Sequence, residues 1–521
     1  MAETPSTRAP AIDVQVHNGP PGTFRLNDQG NAIDAHDGEI RHFGDRYYLY
    51  GTSYGCGFRW NDKSAPFCDF RVYSSTDLMH WRNDGPLFDT GTPAWQKRCD
   101  GATYGCFRPH VIYNASTRRY VLWINTYEVP VGYHVFTAAQ PTGPFVEAAL
   151  PKLAINTSQP AGLNHGDHDI FVDRDGTAYL AFTDWRRKGD IVVEQLDANY
   201  LSGTGHYVRL GLKATEAPSL FRRGDTYYLA FSDPNCGYCA TGTSYMHAAS
   251  PLGPWIGQSD TGKGGLHRGF PISKDSCGGQ PAAVNVLPGR DGPVFLYQSD
   301  RWHHGDVNEA LATHYWEPLR FDAAGRIQPL TCADTFELAI VGVHGGNANN
   351  HNADRDRPLS ATASAPDIHD EHQRAQVVAM SHDGRLDKVM VAAFRQANVD
   401  GPLQLSVARV EANGQPGAVI ASRTVPPAEV SWSPSQVGLC VGANVRQGEK
   451  IAVLVTSTAS GSGYGVLLAQ ARSAGTSHAW TRSGGVWTPM SESMLADVML
   501  DATGGTSACR NTLSATTAAH R

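Results

Sequence analysis

The feature that most limits what this chain can become is a turn followed by a short aromatic and aliphatic run, repeated with variations. It reads GDRYYLYGTS at 44–53, TRRYVLWINT at 117–126, GTAYLAFTDW at 176–185, GDTYYLAFSD at 224–233 and DGPVFLYQSD at 291–300. Runs of this length and composition, opened by Gly or Asp and closed by small polar residues, form strands. Several copies are followed by a second strand and turn: VYSSTDLMHWRNDG, YHVFTAAQPTGPF and YMHAASPLGPW. Self-similarity at roughly fifty to seventy residues, with several short strands per unit, is how a β-propeller blade looks in sequence. The five copies predict five blades over residues 25–335. Radial packing of blades would bring polar residues at strand starts together, although they are far apart along the chain.

From about residue 342 the stretch GVHGGNANNHNADRDRPLSATASAPD is polar and without periodicity, which suits a linker. Beyond it, KVMVAAF, LQLSVARV, KIAVLVTSTAS and YGVLLAQ alternate with NGQPG and RQGE turns, the pattern of a jelly-roll-like β-sandwich. The expected fold is therefore all-β: a catalytic propeller over 1–338, a linker over 339–365 and an accessory sandwich over 366–521. Packing is the expected role of the sandwich, ahead of carbohydrate attachment.

A formal net charge of -7 over 521 residues, without a Lys/Arg block, excludes the electrostatic footprint of a nucleic-acid or anionic-membrane binder. A neutral partner is expected. No apolar run reaches the roughly 18 residues that cross a bilayer. The start MAETPSTRAPAI has no apolar signal core. Ten cysteines nevertheless point to an oxidising compartment, with near neighbours at Cys56 and Cys68, Cys99 and Cys106, Cys236 and Cys239, and Cys440 and Cys509. A secreted or periplasmic home with a mature or engineered start reconciles the two. NCGYC lacks a βαβ context and reads as a loop staple, not a redox pair.

Acidic residues recur in phase with the repeat. The first unit is preceded by His36-Asp37-Gly38-Glu39, the third by Gly166-Asp167-His168-Asp169 and the fourth by Thr215-Glu216-Ala217-Pro218. One such residue commonly caps a turn. Three in phase would face a single axial pocket, where like charges resist joint ionisation and one carboxyl keeps its proton. An acid beside a carboxylate is the equipment for cleaving a glycosidic bond. Asp173 and Asp175 in DRDG lack the other ligands of a calcium loop and read as an ordinary turn.

Asp37 before GDRYYLYGTS, Asp167 in DHDIFVDRDGTAYL and Glu216 in EAPSLFRRGDTYYL resemble the motifs of glycoside hydrolase family 43 over roughly residues 25–330. NDQGNAIDAH, FRPHVIYN, CGGQPAAVNV and SDRW are similar to its branch of exo-β-1,3-galactanases. The resemblance implies that Glu216 is the general acid, Asp167 the residue that orients it and keeps its pKa high, and Asp37 the general base. The galactanase branch has glycine where Asp37 stands and relies on a glutamine resembling Gln280, whereas this chain carries both. It also has Phe107 where that branch has a sugar-touching glutamate before Arg-Pro.

The activity so implied is an exo-acting, inverting hydrolase that releases a terminal neutral sugar from a polysaccharide or oligosaccharide. An α-L-arabinofuranosyl end is placed ahead of β-galactosyl or galactofuranosyl ends. The alternatives are an exo-β-1,3-galactosidase and a non-catalytic glycan-binding propeller. His36, Phe107, Arg108, His168, Trp185, Gln280, Arg301 and Trp302 are the candidate substrate-binding residues, by forked hydrogen bonds and stacking. No cofactor is expected to be required. An axial cation such as calcium, near His36, His168, His303 or His304, is the remaining metal option.

Overall fold

The computed structural model describes residues 10–59, 62, 64–88, 99, 105–126, 132–155, 165–234, 240–258, 265–302, 308–343, 359–470 and 477–501. These residues are almost entirely β, with a few 3₁₀ turns. The chain divides into two compact units. The first holds Met1–Pro21, Asp34–Tyr54 and Phe58–His351; the second holds Gly22–Ile33, Gly55–Gly57 and Asn352–Arg521. A single linear boundary does not describe this division, because residues 22–33 and 55–57 join the second unit.

In the first unit, four antiparallel sheets follow one another along the chain, each of four strands in sequence order, and a five-stranded sheet completes the set. The repeated runs are the second strand of each sheet: Arg46–Thr52, Arg119–Thr126, Ala178–Asp184, Thr226–Ser232 and Gly292–Arg301. Their first-strand partners are His36–Phe43, Cys106–Asn114, His165–Val172, Glu216–Arg223 and Gln280–Gly289. Each of these five first strands contacts its counterpart in the next sheet, and the fifth contacts the first, so the cycle closes. The fifth sheet is completed by Ala11–His17 paired antiparallel with Thr335–Val341, which joins the start of the unit to its end.

Burial explains the spacing of the sheets. Tyr50, Phe70 and Val72 of the first sheet pack on Val111, Leu122 and Phe136 of the second. Ile191, Val193 and Ala181 of the third meet Leu220, Leu229 and Phe231 of the fourth. Each sheet thus buries both faces between its neighbours, and burying one such side chain is worth roughly 1.5–3 kcal/mol. Where the first strands face one another, polar groups bridge sheet to sheet. Ile40 N–H donates to Asn285 Oδ1, Val111 N–H to Glu39 Oε1, Leu220 N–H to Asp169 Oδ2 and Val284 N–H to Ser219 Oγ.

The second unit has one sheet ordered Thr23–Arg25, Ser360–Ala363, Tyr464–Gln470, Gly384–Arg395 and Ser435–Val445. Its other sheet runs Pro416–Val425, Leu403–Val410, Lys450–Ser457, Gln373–Ala379, Ser477–Ser483 and Val486–Met490. Val389, Val391, Leu439 and Val466 of the first share an apolar core with Leu405, Val407, Val453 and Val455 of the second.

Disulfides join Cys99 to Cys106, as the spacing suggested, and Cys277 to Cys332, which lie 55 residues apart and were not paired from sequence. Cys56, Cys68 and Cys440 are also disulfide-bonded. Cys236, Cys239, Cys509, His303 and His304 lie outside the described residues.

Candidate active site

All five first strands carry a register break near their beginning. It falls between His36 and Glu39, Phe107 and His110, His165 and His168, Glu216 and Ser219, and Pro281 and Ala283. A β-bulge adds an unpaired residue and re-aims its side chain. Asp37, Arg108 and Ala217 accordingly adopt left-handed backbone conformations, with φ of 55°, 53° and 49°. Gly38 permits the first of these bulges, since a Cβ there would stand 2.0 Å from the Tyr50 carbonyl oxygen. Asp37, Arg108, Asp167, Glu216 and Gln280 all stand at or beside a bulge.

Arg108 ties the set together. Its backbone N–H lies 3.3 Å from Asp37 Oδ1, and its Nη2 donates to Asp167 Oδ2 at 2.9 Å. The carbonyls of Pro281 and Ala282 hold the same guanidinium at 3.1–3.3 Å. A buried, forked cation of this kind fixes planar groups in place where a lysine could not. Asp37 is further clamped by the Thr52 hydroxyl at 2.7 Å and the Tyr54 hydroxyl at 3.3 Å. Gln280 Nε2 donates to Glu216 Oε1 at 3.0 Å.

The carboxyls experience different surroundings. Burial pushes Asp37 up to about 7, against the opposing pull of Arg108 and the Thr52 hydrogen bond. Burial and then the negative charge of Asp167 hold Glu216 well above the usual carboxylate range. Near neutral pH the site therefore keeps a protonated Glu216 while Asp37 titrates, a pairing suited to one proton donor and one proton acceptor.

The other candidates divide. Trp185 and Trp302 are partly exposed, Trp185 packing where a Cβ on Gly166 would stand 2.6 Å from its Nε1. Phe107 is half-buried with its ring edge toward Phe58, 5.9 Å between centroids. His36 is fully buried between Asp34 and Asp300. His168 is fully buried beside His110 and Tyr133, and burial drives it well below the ordinary histidine value, so it is neutral and turned away from solvent. Arg301 donates to the carbonyls of Cys277 and Gly19 at 3.0 and 2.9 Å and lies over the Tyr315 ring. Those bonds join the fifth sheet to the loop before it and leave packing, not sugar contact, as the use of that guanidinium.

Sequence reasoning did not single out Thr52, Asp34, Asp300 or His314. Asp34 lies inside NDQGNAIDAH and Asp300 inside SDRW, so both were in view without a role. Asp173 in DRDG is held by Arg222 and Tyr227, as an ordinary turn residue would be.

Two buried clusters have cation-ligand chemistry: His36, Asp300 and His314, and Glu39, His110 and Asp169. In the second, burial disfavours charge on His110, but Glu39 and Asp169 outweigh it and raise the imidazole to about 9. Arg41 also pairs with both carboxylates. In the first, His36 itself occupies the cationic place between two carboxylates. Internal ion pairs account for both clusters, and neither is assigned a metal.

The family model described as Glycosyl hydrolases family 43 matches residues 31–262. A β-D-galactofuranosidase of Aspergillus niger is 27% identical over 319 residues, covering 59% of this chain and 84% of that protein. An exo-β-1,3-galactanase structure from Clostridium thermocellum superposes with a TM-score of 0.52 at 23% identity, covering 72% of this chain and 73% of that one. An exo-β-1,3-galactanase from Phanerochaete chrysosporium gives a TM-score of 0.49 at 20% identity, covering 87% of this chain and all of that one. The resemblance read from Asp37, Asp167 and Glu216 thus agrees with an independent match across the same strands, and through residues 31–262 the chain belongs to glycosyl hydrolases family 43 and is a glycoside hydrolase.

Proposed function

We propose that the protein is an exo-acting, inverting glycosidase that removes a terminal furanosyl residue, galactofuranosyl or arabinofuranosyl, from a polysaccharide or oligosaccharide. The observation that carries the reading is the chain of contacts Asp37, Arg108, Asp167 and Glu216 across bulged strands, with one carboxyl poised near neutrality and another held protonated. The five cyclic sheets are read as propeller blades forming the catalytic domain over 1–338, and the two sheets of the second unit as an accessory β-sandwich over 366–521.

In the proposed cleavage, Asp37 takes a proton from water as that water attacks the anomeric carbon. Glu216 gives its proton to the departing oxygen, and Asp167 maintains that proton by its negative charge. Single displacement needs the acid and base roughly 6.5–9.5 Å apart, room for one water. Trp185, Trp302 and Phe107 are the aromatic surfaces proposed for the sugar, and no cofactor takes part.

The furanosyl choice draws support from the Aspergillus niger relative. β-D-galactofuranosides and α-L-arabinofuranosides share their ring configuration and differ only in the exocyclic carbons, so one pocket can be shaped for either. A second reading, an exo-β-1,3-galactosidase, is favoured by the bond from Gln280 to Glu216. Secretion agrees with the disulfides. No helix among the described residues is long and apolar enough to cross a membrane.

The test is hydrolysis of nitrophenyl β-D-galactofuranoside, α-L-arabinofuranoside, β-D-galactopyranoside and β-D-xyloside, with the first-formed anomer followed by NMR. Release of the inverted sugar from a furanoside supports the proposal. A retained anomer refutes inversion, and turnover of the galactopyranoside alone favours the second reading.

A further inference from the structure

Behind Asp37 lies a closed circuit of buried polar groups that the proposed cleavage does not use. The Asp37 backbone N–H donates to Asp300 Oδ2 at 2.6 Å. Asp300 Oδ1 faces His36 Nδ1 and His314 Nε2, each at 3.7 Å. On its other side His36 Nε2 faces Asp34 Oδ1 at 3.5 Å. Asp34 accepts from the Ser53 hydroxyl at 2.5 Å and the Tyr54 N–H at 2.8 Å. The Tyr54 hydroxyl then returns to Asp37 Oδ2. The circuit thus grips the same residue at its backbone and at its carboxyl.

Its energetics follow from burial. His36 is 0% exposed and Asp300 1%. Tyr54 and His314 stack on the His36 imidazole at 5.5 and 5.0 Å, and Trp302 tilts against it at 5.5 Å. Water is largely excluded, and charge must be balanced locally. Burial opposes charge on His36, but Asp300 and Asp34 outweigh it and raise the imidazole to about 9, so it is a cation at neutral pH. Asp34 and Asp300 are held low by that cation against their own burial. Around Asp37 itself stand Arg108, Thr52, Asp300, His36 and Tyr54; Asp300 favours its protonated form, and His36 favours its ionised form less strongly. A non-glycine residue in the left-handed region is also strained by about 1–3 kcal/mol. A charge-assisted bond to its N–H is a direct way to hold it there.

We propose that Asp300 and His36 are positioning residues for the water-activating carboxylate, Asp300 by anchoring the left-handed backbone of Asp37 and His36 by balancing the charge of Asp300 and Asp34 beside it. The inference rests on the reading of Asp37 as general base.

The test is the pH dependence of kcat/KM of the full chain on whichever nitrophenyl furanoside it cleaves, for Asp300→Asn, His36→Gln and Asp37→Asn. Asp300→Asn keeps an acceptor for the Asp37 N–H but loses the negative charge, so the acid limb moves down by about half a pH unit or more. His36→Gln leaves two carboxylates uncompensated, so the limb moves up by a similar amount. KM stays within about threefold in both, since neither side chain is placed against the sugar. Limbs that stay at the wild-type position, or move together in one direction, overturn the inference. Asp34→Asn removes one of the same charges without touching the Asp37 backbone; should Asp300→Asn fail to fold, an unmoved limb in Asp34→Asn overturns the inference equally. Retained turnover in Asp37→Asn sinks the base assignment itself, whereas its loss alongside unmoved limbs sinks the positioning role alone.

Discussion

Asp37→Asn should make the protein more stable and nearly inactive. Burial raises this carboxyl from its ordinary 3.8 to about 7. Because the folded value lies above the unfolded one, the carboxyl's contribution is fully favourable only below the unfolded value, and it is lost as pH rises toward the folded value. At about 1.4 kcal/mol per pH unit, the ionised native state carries about 4 kcal/mol of destabilisation above pH 7. Asparagine keeps an acceptor for the Thr52 hydroxyl and the Arg108 N–H, at 2.7 and 3.3 Å in the wild type, and turns its amide toward the Tyr54 hydroxyl, which can accept. The variant should therefore gain a few kcal/mol at pH 8.5 and almost nothing at pH 4. Paired urea titrations at the two pH values measure the difference directly. Turnover should fall by about a hundredfold to ten-thousandfold, the scale of a lost general base. An Asp37→Asn variant that is no more stable than wild type at pH 8.5, or whose advantage persists unchanged at pH 4, refutes the reasoning.

Glu216→Gln should lower turnover of substrates with poor leaving groups by about a hundredfold or more, with a much smaller loss on a dinitrophenyl glycoside that departs without a proton; equal losses on both would argue against the acid role. Arg301→Met should strand the carbonyls of Cys277 and Gly19 at about 1–3 kcal/mol each, lowering the melting temperature while KM of the surviving enzyme is unchanged. Replacing Cys277 and Cys332 together by serine opens a 55-residue loop and should cost about 4 kcal/mol by the loop-entropy relation. An unchanged urea midpoint in the double variant would show that the bridge adds little.

Much of the catalytic unit was legible because its signals are local. A turn followed by aromatic and β-branched residues forms a strand wherever it occurs, so all five repeated runs were located from sequence, each the second strand of its sheet. Asp37, Asp167 and Glu216 stood out because they keep phase with that repeat. The bulges were invisible, since an extra residue in one strand exists only relative to its partner. Without them, Arg108 reads as one more sugar-binding arginine, whereas the fold uses it to bridge Asp37 and Asp167. Arg301 was misjudged for a related reason: an arginine beside a tryptophan looks alike in sequence whether its fork meets a sugar or the carbonyls of Cys277 and Gly19.

Sequence by itself determined the all-β class, the fivefold repeat and the three acidic residues, because periodicity, turn chemistry and composition act over a few neighbouring residues. Tertiary structure alone decided what those residues experience. Asp300 meets Asp37 across 263 positions and Arg108 meets Asp167 across 59. Burial, which lifts Asp37 to about 7 and keeps Glu216 protonated, belongs to the closed cycle of sheets and to no segment of it.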